Sequence, residues 1–139
     1  MMSLNNRSVK FALSKVLGRG LLLVLFAVLT AGCTQRAVPV SYKETIVPLL
    51  TDHCGRCHEG DGPGTQKSGL AMDSYEQLLK GTHIGPVIKP GDATGSTLMA
   101  LIEGRADPAI RMPLDGHNPL SANEIKILRQ WINEGALDN

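Results

Sequence analysis

Five consecutive residues, Cys54-Gly55-Arg56-Cys57-His58, constrain this 139-residue chain more than any other feature. Two cysteines at this spacing lie about one helical turn apart, so both can form thioethers with the two vinyl groups of one porphyrin. The histidine that follows is then placed where its imidazole can bind the iron. The C-x-x-C-H spacing is the attachment pattern of haem c. We therefore predict one covalent haem c, held by Cys54 and Cys57, with His58 as the proximal axial ligand.

The cysteine pair has three other uses that must be weighed against haem attachment. A thioredoxin-type redox pair requires a preceding strand and a βαβ surround, and no segment here has the pattern of a strand. A zinc site requires a second pair of ligands, and His83 and His117 are isolated in loops. A structural disulfide would leave His58 without a role. The pattern favours haem over all three.

The sixth ligand of the iron is predicted from the position of one methionine. Met112 lies in the loop Arg111-Met112-Pro113, well after His58 and just before the last predicted helix. A small chain has to return across the opposite face of the haem at about this point. Pro113 lacks a backbone N–H and stiffens the loop. Since His/Met pairs are common at haem c, we predict Met112 as the distal ligand.

Other histidines and methionines leave alternatives open. His83 and His117 are the rival sixth ligands. Met72 and Met99 lie in apolar surroundings, where methionine usually fills a core. His53, next to Cys54, is interpreted as a surface or helix-end residue.

The first 32 residues have the pattern of an export signal. Residues 1–20 carry four positive and no negative charges, and an apolar run of 11 residues follows at 21–31. That run is too short for a membrane span, which takes about 20 residues, but it suits a signal peptide. Small residues then precede Cys33, which resembles a bacterial lipobox. The alternatives are an uncleaved anchor or an ordinary signal with a chance cysteine.

The predicted mature chain is therefore a lipid-anchored domain. We expect residues 1–32 to be removed, Cys33 to carry the lipid, residues 33–40 to form a tether, and residues 41–139 to form the domain. Several acyl chains hold a protein firmly on a bilayer. Thr34, in place of the Asp typical of inner-membrane retention, favours the outer membrane, with the domain facing the periplasm.

Charge and motifs exclude several functions of this domain. After Cys33 the chain carries ten basic and thirteen acidic side chains, a balance of −3. A weakly acidic domain gives no reason to expect nucleic-acid binding. The chain also offers no catalytic triad, paired carboxylate motif or phosphate loop. Its partners are expected to be redox proteins and, through the lipid, the membrane.

Capping signals predict short helices joined by long loops. A helix is predicted to start near Val47, or to be kinked at Pro48. Residues 59–69 are predicted to be loop, and residues 84–95 are rich in turn residues. Further helices are predicted at 75–80, capped by Asp73 or Ser74, at 97–103, capped by Ser96, and from a Ser121–Glu124 capping box to Gly135. The last helix carries one apolar stripe, made of Ile125, Leu128, Trp131 and Ile132.

These motifs together resemble the small monohaem cytochromes c, most closely the planctomycete-type cytochrome c domain. Besides the haem pentapeptide, the resemblance covers short motifs in nearly the whole mature chain: Pro48-Leu49-Leu50, Ser68-Gly69-Leu70, Asp73-Ser74, Pro86-Val87-Ile88, Pro90-Gly91-Asp92, Ser96, Leu98, Met112-Pro113, Leu120-Ser121, Glu124-Ile125, Trp131-Ile132 and Gly135-Ala136. Two departures are Glu59, where the family often has Gly, and Thr82-His83 after Gly81.

The resemblance implies an all-α, class I cytochrome c-like fold, with crossing first and last helices packed around the haem. It implies single-electron transfer between redox partners rather than catalysis. Only 4% of the residues are aromatic, which fits a core that is filled in part by a porphyrin. Two other functions stay open: a five-coordinate haem enzyme or sensor, acting on peroxide or binding a gas, and an accessory haem subunit of a larger respiratory complex.

Overall fold

The computed structural model describes residues 38–139, which form helices and connecting loops. Within this range there is no strand, and one isolated bridge pairs Thr82 with Gly85. The predicted all-α class is confirmed for these residues. The predicted signal peptide, Cys33 and most of the tether lie outside them, so the proposed boundaries at 32 and 40 stay predictions.

The first helical run, α1 (residues 42–58), ends in the haem motif. It consists of a π-helical turn Tyr42–Ile46, an α-helical turn Val47–Leu50, a second π-helical turn Thr51–Gly55 and a last α-helical turn Arg56–His58. The α-helical part begins at Val47 with Pro48 in its first turn, as one of the two predicted alternatives has it, and a helical turn precedes Val47, as expected from the other alternative, in which a longer helix continues through Pro48. The Ser41 hydroxyl caps that turn by accepting a hydrogen bond from the Glu44 N–H.

A short helix, α2 (Pro63–Ser68), lies where a loop was predicted. Its ends have the residues that begin and end helices: Pro63 is in the first turn, where a missing N–H is harmless, and Gly69 ends it with φ of 78°. No residue of α2 is buried. The prediction was wrong because the segment has no apolar periodicity, so only the flanking proline and glycine indicated a helix.

Two more short helices, α3 (Tyr75–Lys80) and α4 (Thr97–Ile102), follow the predicted bounds closely. Ser74 caps α3 through its hydroxyl, which accepts from the Gln77 N–H. Ser96 precedes α4, but its hydroxyl does not cap the helix. It donates instead to the Asp92 carbonyl at 2.8 Å and accepts from the Lys89 N–H at 2.9 Å. Ser96 therefore stabilises the preceding loop.

The last helix, α5 (Ala122–Asn133), begins with the predicted capping box, in which both reciprocal hydrogen bonds between Ser121 and Glu124 are present. Two 3-10 turns, Pro108–Ile110 and Leu114–Gly116, lie in the long loop between α4 and α5. Of the predicted stripe, Leu128, Trp131 and Ile132 are buried and Ile125 is partly buried.

The core lies between α1, α3, α4, α5 and their connections. Its buried hydrophobic residues are Tyr42, Ile46, Leu49, Leu50, Leu70, Met72, Leu78, Val87, Ile88, Ala93, Leu98, Met99, Ile102, Leu128, Trp131, Ile132 and Ala136. Met72 and Met99 are thus core residues, as predicted.

An aromatic cluster joins α1, α3 and α5. The ring of Tyr42 stacks on Trp131 with centroids 5.5 Å apart and meets Tyr75 edge-on at 5.2 Å. The Trp131 indole N–H donates to the Leu137 carbonyl, and the Tyr75 hydroxyl donates to the Ala136 carbonyl. The first and last helices are therefore in direct contact through this cluster.

The two ends of the described segment are hydrogen-bonded to each other. The Val40 N–H donates to the Glu134 carboxylate at 2.7 Å, and the N–H of Tyr42 donates to the Asn139 side chain at 2.8 Å. The predicted tether thus meets the domain beside the end of α5. No helix among residues 38–139 is long and apolar enough to cross a bilayer.

Candidate haem site

The two cysteines of the motif lie at the end of α1, one helical turn apart. Cys54 packs partly against the core, and Cys57 is exposed. Both thiols are free, so residues 38–139 contain no disulfide between them. Free thiols on one helical turn match the requirement for two thioether bonds to one porphyrin.

The environment of Cys54 argues against a redox-active thiol. Burial, with smaller contributions from Cys57 and Glu59, raises the pKa of Cys54 to about 12. Thioredoxin-type and metal-binding cysteines react as thiolates and have lowered pKa values. In the described part of the chain there is also no group of three His, Cys, Asp or Glu side chains able to hold a metal ion.

The imidazole of His58 is oriented by a single hydrogen bond. Its Nδ1 lies 3.0 Å from the Leu70 carbonyl oxygen, and the residue is 8% exposed. Because a carbonyl can only accept, Nδ1 carries the proton, and Nε2 keeps its lone pair for a metal. Histidine ligands in metalloproteins are commonly held this way, which fixes the tautomer and the ring orientation. The donor set therefore fits haem c.

Two glycines allow α2 to approach the haem motif closely. A Cβ on Gly62 would lie 2.5 Å from the Cys57 carbonyl oxygen, and one on Gly64 would lie 2.8 Å from Cε1 and Nε2 of His58. Side chains are excluded at both positions. The Gly-Pro-Gly segment was predicted only as loop, although its small residues did indicate a close approach.

The three candidates for the sixth ligand lie in different surroundings. Met112 is half-buried and packs against the core, and its N–H donates to the Leu101 carbonyl at 3.3 Å. His83 and His117 are both exposed. The His83 ring lies against Gly69, at the end of α2, next to the Leu70 carbonyl that orients His58.

The loop that carries Met112 is fixed at its start by an ion pair between α4 and α5. The carboxylate of Glu103 accepts from the guanidinium groups of Arg129 and Arg105. Burial raises the pKa of Glu103, but the hydrogen bonds to both arginines lower it by more, so the net change is downward.

The end of the same loop is attached to α1 through His53, which was interpreted as a surface or helix-end residue. His53 lies near the end of α1 and is partly exposed as a residue, but only 5% of its side chain is exposed. Its Nδ1 lies 2.7 Å from the Asn118 carbonyl and its Nε2 3.1 Å from the Glu124 carboxylate. These partners are 65 and 71 residues away in sequence, so no local pattern indicates them.

A family model described as Planctomycete cytochrome C matches residues 54–116, from the first cysteine of the motif to just beyond Met112. This segment is similar to the planctomycete-type cytochrome c domain, as its motifs indicated. No curated protein and no solved structure matches the chain.

The cytochrome c family confirms the resemblance found in the motifs and accounts for the arrangement around α1. A cytochrome c domain implies haem c, and Cys54, Cys57 and His58 supply the attachment pattern for it. Of the aromatic cluster, Tyr42 and Trp131 lie outside the matched segment and Tyr75 lies within it.

Proposed function

We propose that this chain is a membrane-tethered, monohaem c-type cytochrome that carries single electrons between redox partner proteins in the bacterial periplasm. The supporting observation is the orientation of His58: the Nδ1–Leu70 hydrogen bond leaves Nε2 as a ligand next to two free thiols on the same helical turn. Bound haem c supplies an iron that exchanges one electron between its ferric and ferrous states.

The protein's part in this function is to hold two ligands rigidly. Leu70 fixes the plane and tautomer of the His58 imidazole, and α2 approaches the ring so closely at Gly64 that a side chain there is excluded. A ligand that keeps its geometry in both oxidation states leaves little to rearrange when an electron moves.

We propose Met112 as the second axial ligand. Its half-buried position, packed against the core, favours it over the exposed His117. The exposed His83 lies against Gly69, next to the Leu70 carbonyl that orients His58, whereas Met112 would supply a ligand from a separate loop. A neutral, soft thioether favours ferrous iron and closes the sixth site.

Replacing Met112 by Leu or Ala is expected to leave the sixth coordination position of the iron open. The ferric spectrum should become high-spin or water-ligated, and carbon monoxide should bind the ferrous form readily. The reduction potential should fall, within the roughly 0.8 V range that axial ligation spans in haem proteins. Optical spectra, including the near-infrared thioether-to-iron band, and redox titration measure these changes. Met72→Leu and Met99→Leu are the matched controls and should keep the band.

Other results of that experiment would change the function. Carbon monoxide binding and a high-spin ferric state in the wild type would remove Met112 as a ligand and favour the five-coordinate peroxidase or gas sensor. A closed low-spin site in Met112→Ala that opens in His83→Ala or His117→Ala would indicate bis-histidine ligation, and electron transfer at a lower potential.

The membrane tether is proposed from the apolar run that ends at Cys33. We expect the full-length protein to fractionate with membranes and Cys33→Ser to be released, because the lipid chains supply the membrane affinity. Thr34→Ala, one residue away, should stay membrane-bound. Mass spectrometry of the mature N-terminus provides the check, and an unacylated wild-type N-terminus elsewhere in the chain would contradict the proposal.

A further inference from the structure

His53 forms a junction between three segments of the domain. It lies in α1 directly before Cys54, and its ring contacts the loop after Met112 and the first turn of α5. Only 5% of its side chain is exposed. A histidine so enclosed has to satisfy both ring nitrogens from protein groups.

The two partners of the ring define its charge state. Nδ1 faces the Asn118 carbonyl at 2.7 Å, and Nε2 faces a carboxylate oxygen of Glu124 at 3.1 Å. Both partners can only accept hydrogen bonds, so both nitrogens have to donate. A neutral imidazole has one N–H, whereas an imidazolium has two. The geometry therefore corresponds to a protonated His53.

The charged groups around the ring favour the same state. From α5, the Glu124 carboxylate stays ionised because hydrogen bonds from Ser121 and His53 lower its pKa to about 2. From α1 itself, the carboxylate of Asp52 lies 3.7 Å from Nε2. The distal loop contributes the Asn118 carbonyl, which is uncharged.

Asn118 ties the distal loop to α1 a second time. Its side-chain amide donates to the Asp52 carbonyl at 3.0 Å and to the Asp52 carboxylate at 3.1 Å. Its backbone has φ of 42°, in the left-handed region that asparagine tolerates better than most residues. Asn118 follows Met112 by six residues, so this attachment fixes the far end of the loop that carries the methionine.

We propose that protonated His53 is a positioning residue for Met112: it clamps the distal loop to the haem-bearing helix and couples ligation of the iron to pH. The inference rests on the proposed Met112 ligation. When His53 loses its proton, the one remaining N–H stays with the Glu124 carboxylate, which is charged and therefore the stronger acceptor, and Nδ1 presents a lone pair to the Asn118 carbonyl. The bond from His53 to the distal loop is then lost, and the loop is free to withdraw the thioether.

The direction of the pH effect follows from the surroundings of the ring. Burial lowers the pKa of His53, but the hydrogen bonds to Asn118 and Glu124 and the charges of Glu124 and Asp52 raise it by more. The folded pKa therefore lies above the ordinary value of about 6.5. The clamp is complete below that value and is lost as pH rises through the folded pKa.

The test is a pH titration of the full-length ferric holoprotein, followed by the near-infrared thioether-to-iron band. The protonation of His53 is followed separately by NMR of the diamagnetic ferrous form. We expect the band to be lost with a midpoint above pH 6.5, above the ordinary histidine pKa. In His53→Gln the band should be weaker and should not depend on pH over the range in which His53 titrates.

Glu124→Gln provides a second variant that preserves the fold, since glutamine also serves in a capping box. Removing this carboxylate charge should lower the midpoint by about 1 pH unit. Glu44→Gln is the matched control, because Glu44 is exposed and belongs to another part of α1. Its midpoint should equal that of the wild type.

The outcomes distinguish the inference from the proposed function. A thioether band that persists while His53 titrates, or a midpoint that Glu124→Gln leaves unchanged, would overturn the clamp alone. Absence of the band from the wild type at every pH would overturn Met112 ligation, and the clamp with it.

Discussion

Replacing both Cys54 and Cys57 by Ala is expected to abolish covalent haem attachment completely. Each thioether uses one cysteine sulfur, and Cys54 and Cys57 are the only cysteines among residues 38–139. In the wild type, acid–organic extraction should leave all of the haem on the polypeptide, detected by haem staining after denaturing electrophoresis. In the double variant the extracted polypeptide should carry none.

Single variants and a matched control sharpen this experiment. Cys54→Ala and Cys57→Ala each keep one sulfur and should retain haem through one bond, in reduced yield. Cys33→Ser removes the third cysteine of the chain and should leave the covalent haem intact. Haem that extracts freely from the wild type would contradict haem c at this site, in spite of the family match.

The proposed role of His58 differs from that of the two cysteines: it would bind the iron, whereas they would attach the porphyrin. The hydrogen bond to Leu70 was not predicted from the sequence, since it joins residues 12 apart through a backbone carbonyl that any residue could supply. What the sequence did indicate was the short-range part of the site, the spacing of the cysteines and the histidine. The pairings that orient them arise only when the chain folds.

The difference between short-range and long-range interactions also explains which helices could be predicted from the sequence. The capping box of α5 and the Ser74 cap of α3 involve residues three positions apart, so a local pattern specifies them. Helix α2, by contrast, buries none of its own residues. It depends on Gly62 and Gly64, which fit closely against Cys57 and His58. Ser96 shows the converse: its local pattern indicates a cap, but its buried hydroxyl is used by the loop before it.

His53 is the clearest case of a site residue that local patterns do not reveal. Its sequence position, beside the haem motif, suggested a helix end. Its contacts come from a loop and a helix at the far end of the domain. A histidine held between two acceptors differs from a free surface histidine only through these distant residues.

The domain contains very few aromatic side chains, so the loss of one of them is expected to lower its stability strongly. Both phenylalanines, Phe11 and Phe26, precede Cys33, so the domain has three aromatic side chains: Tyr42, Tyr75 and Trp131. All three are in one cluster that joins α1, α3 and α5. A core with so few large side chains depends strongly on each of them.

Trp131→Ala is therefore expected to lower the free energy of unfolding by roughly 3–5 kcal/mol, as large-to-small core substitutions do. Trp131 is fully buried, stacks on Tyr42 at 5.5 Å, and donates its indole N–H to the Leu137 carbonyl at 3.0 Å. For a domain of this size the loss corresponds to a melting temperature lower by about 12 °C or more. Thermal and denaturant unfolding of the holoprotein measure it.

Trp131→Phe separates packing from hydrogen bonding. Phenylalanine can keep the stack on Tyr42, but it leaves the Leu137 carbonyl without its donor, so the loss should be smaller than that of Trp131→Ala. Leu137→Ala is the control for the chain end, since the Leu137 side chain is 48% exposed and its carbonyl remains in place. Its unfolding should be close to that of the wild type. A nearly unchanged melting temperature in Trp131→Ala would instead mean that the contact between α1 and α5 does not stabilise the domain. The haem alone would then hold these helices together.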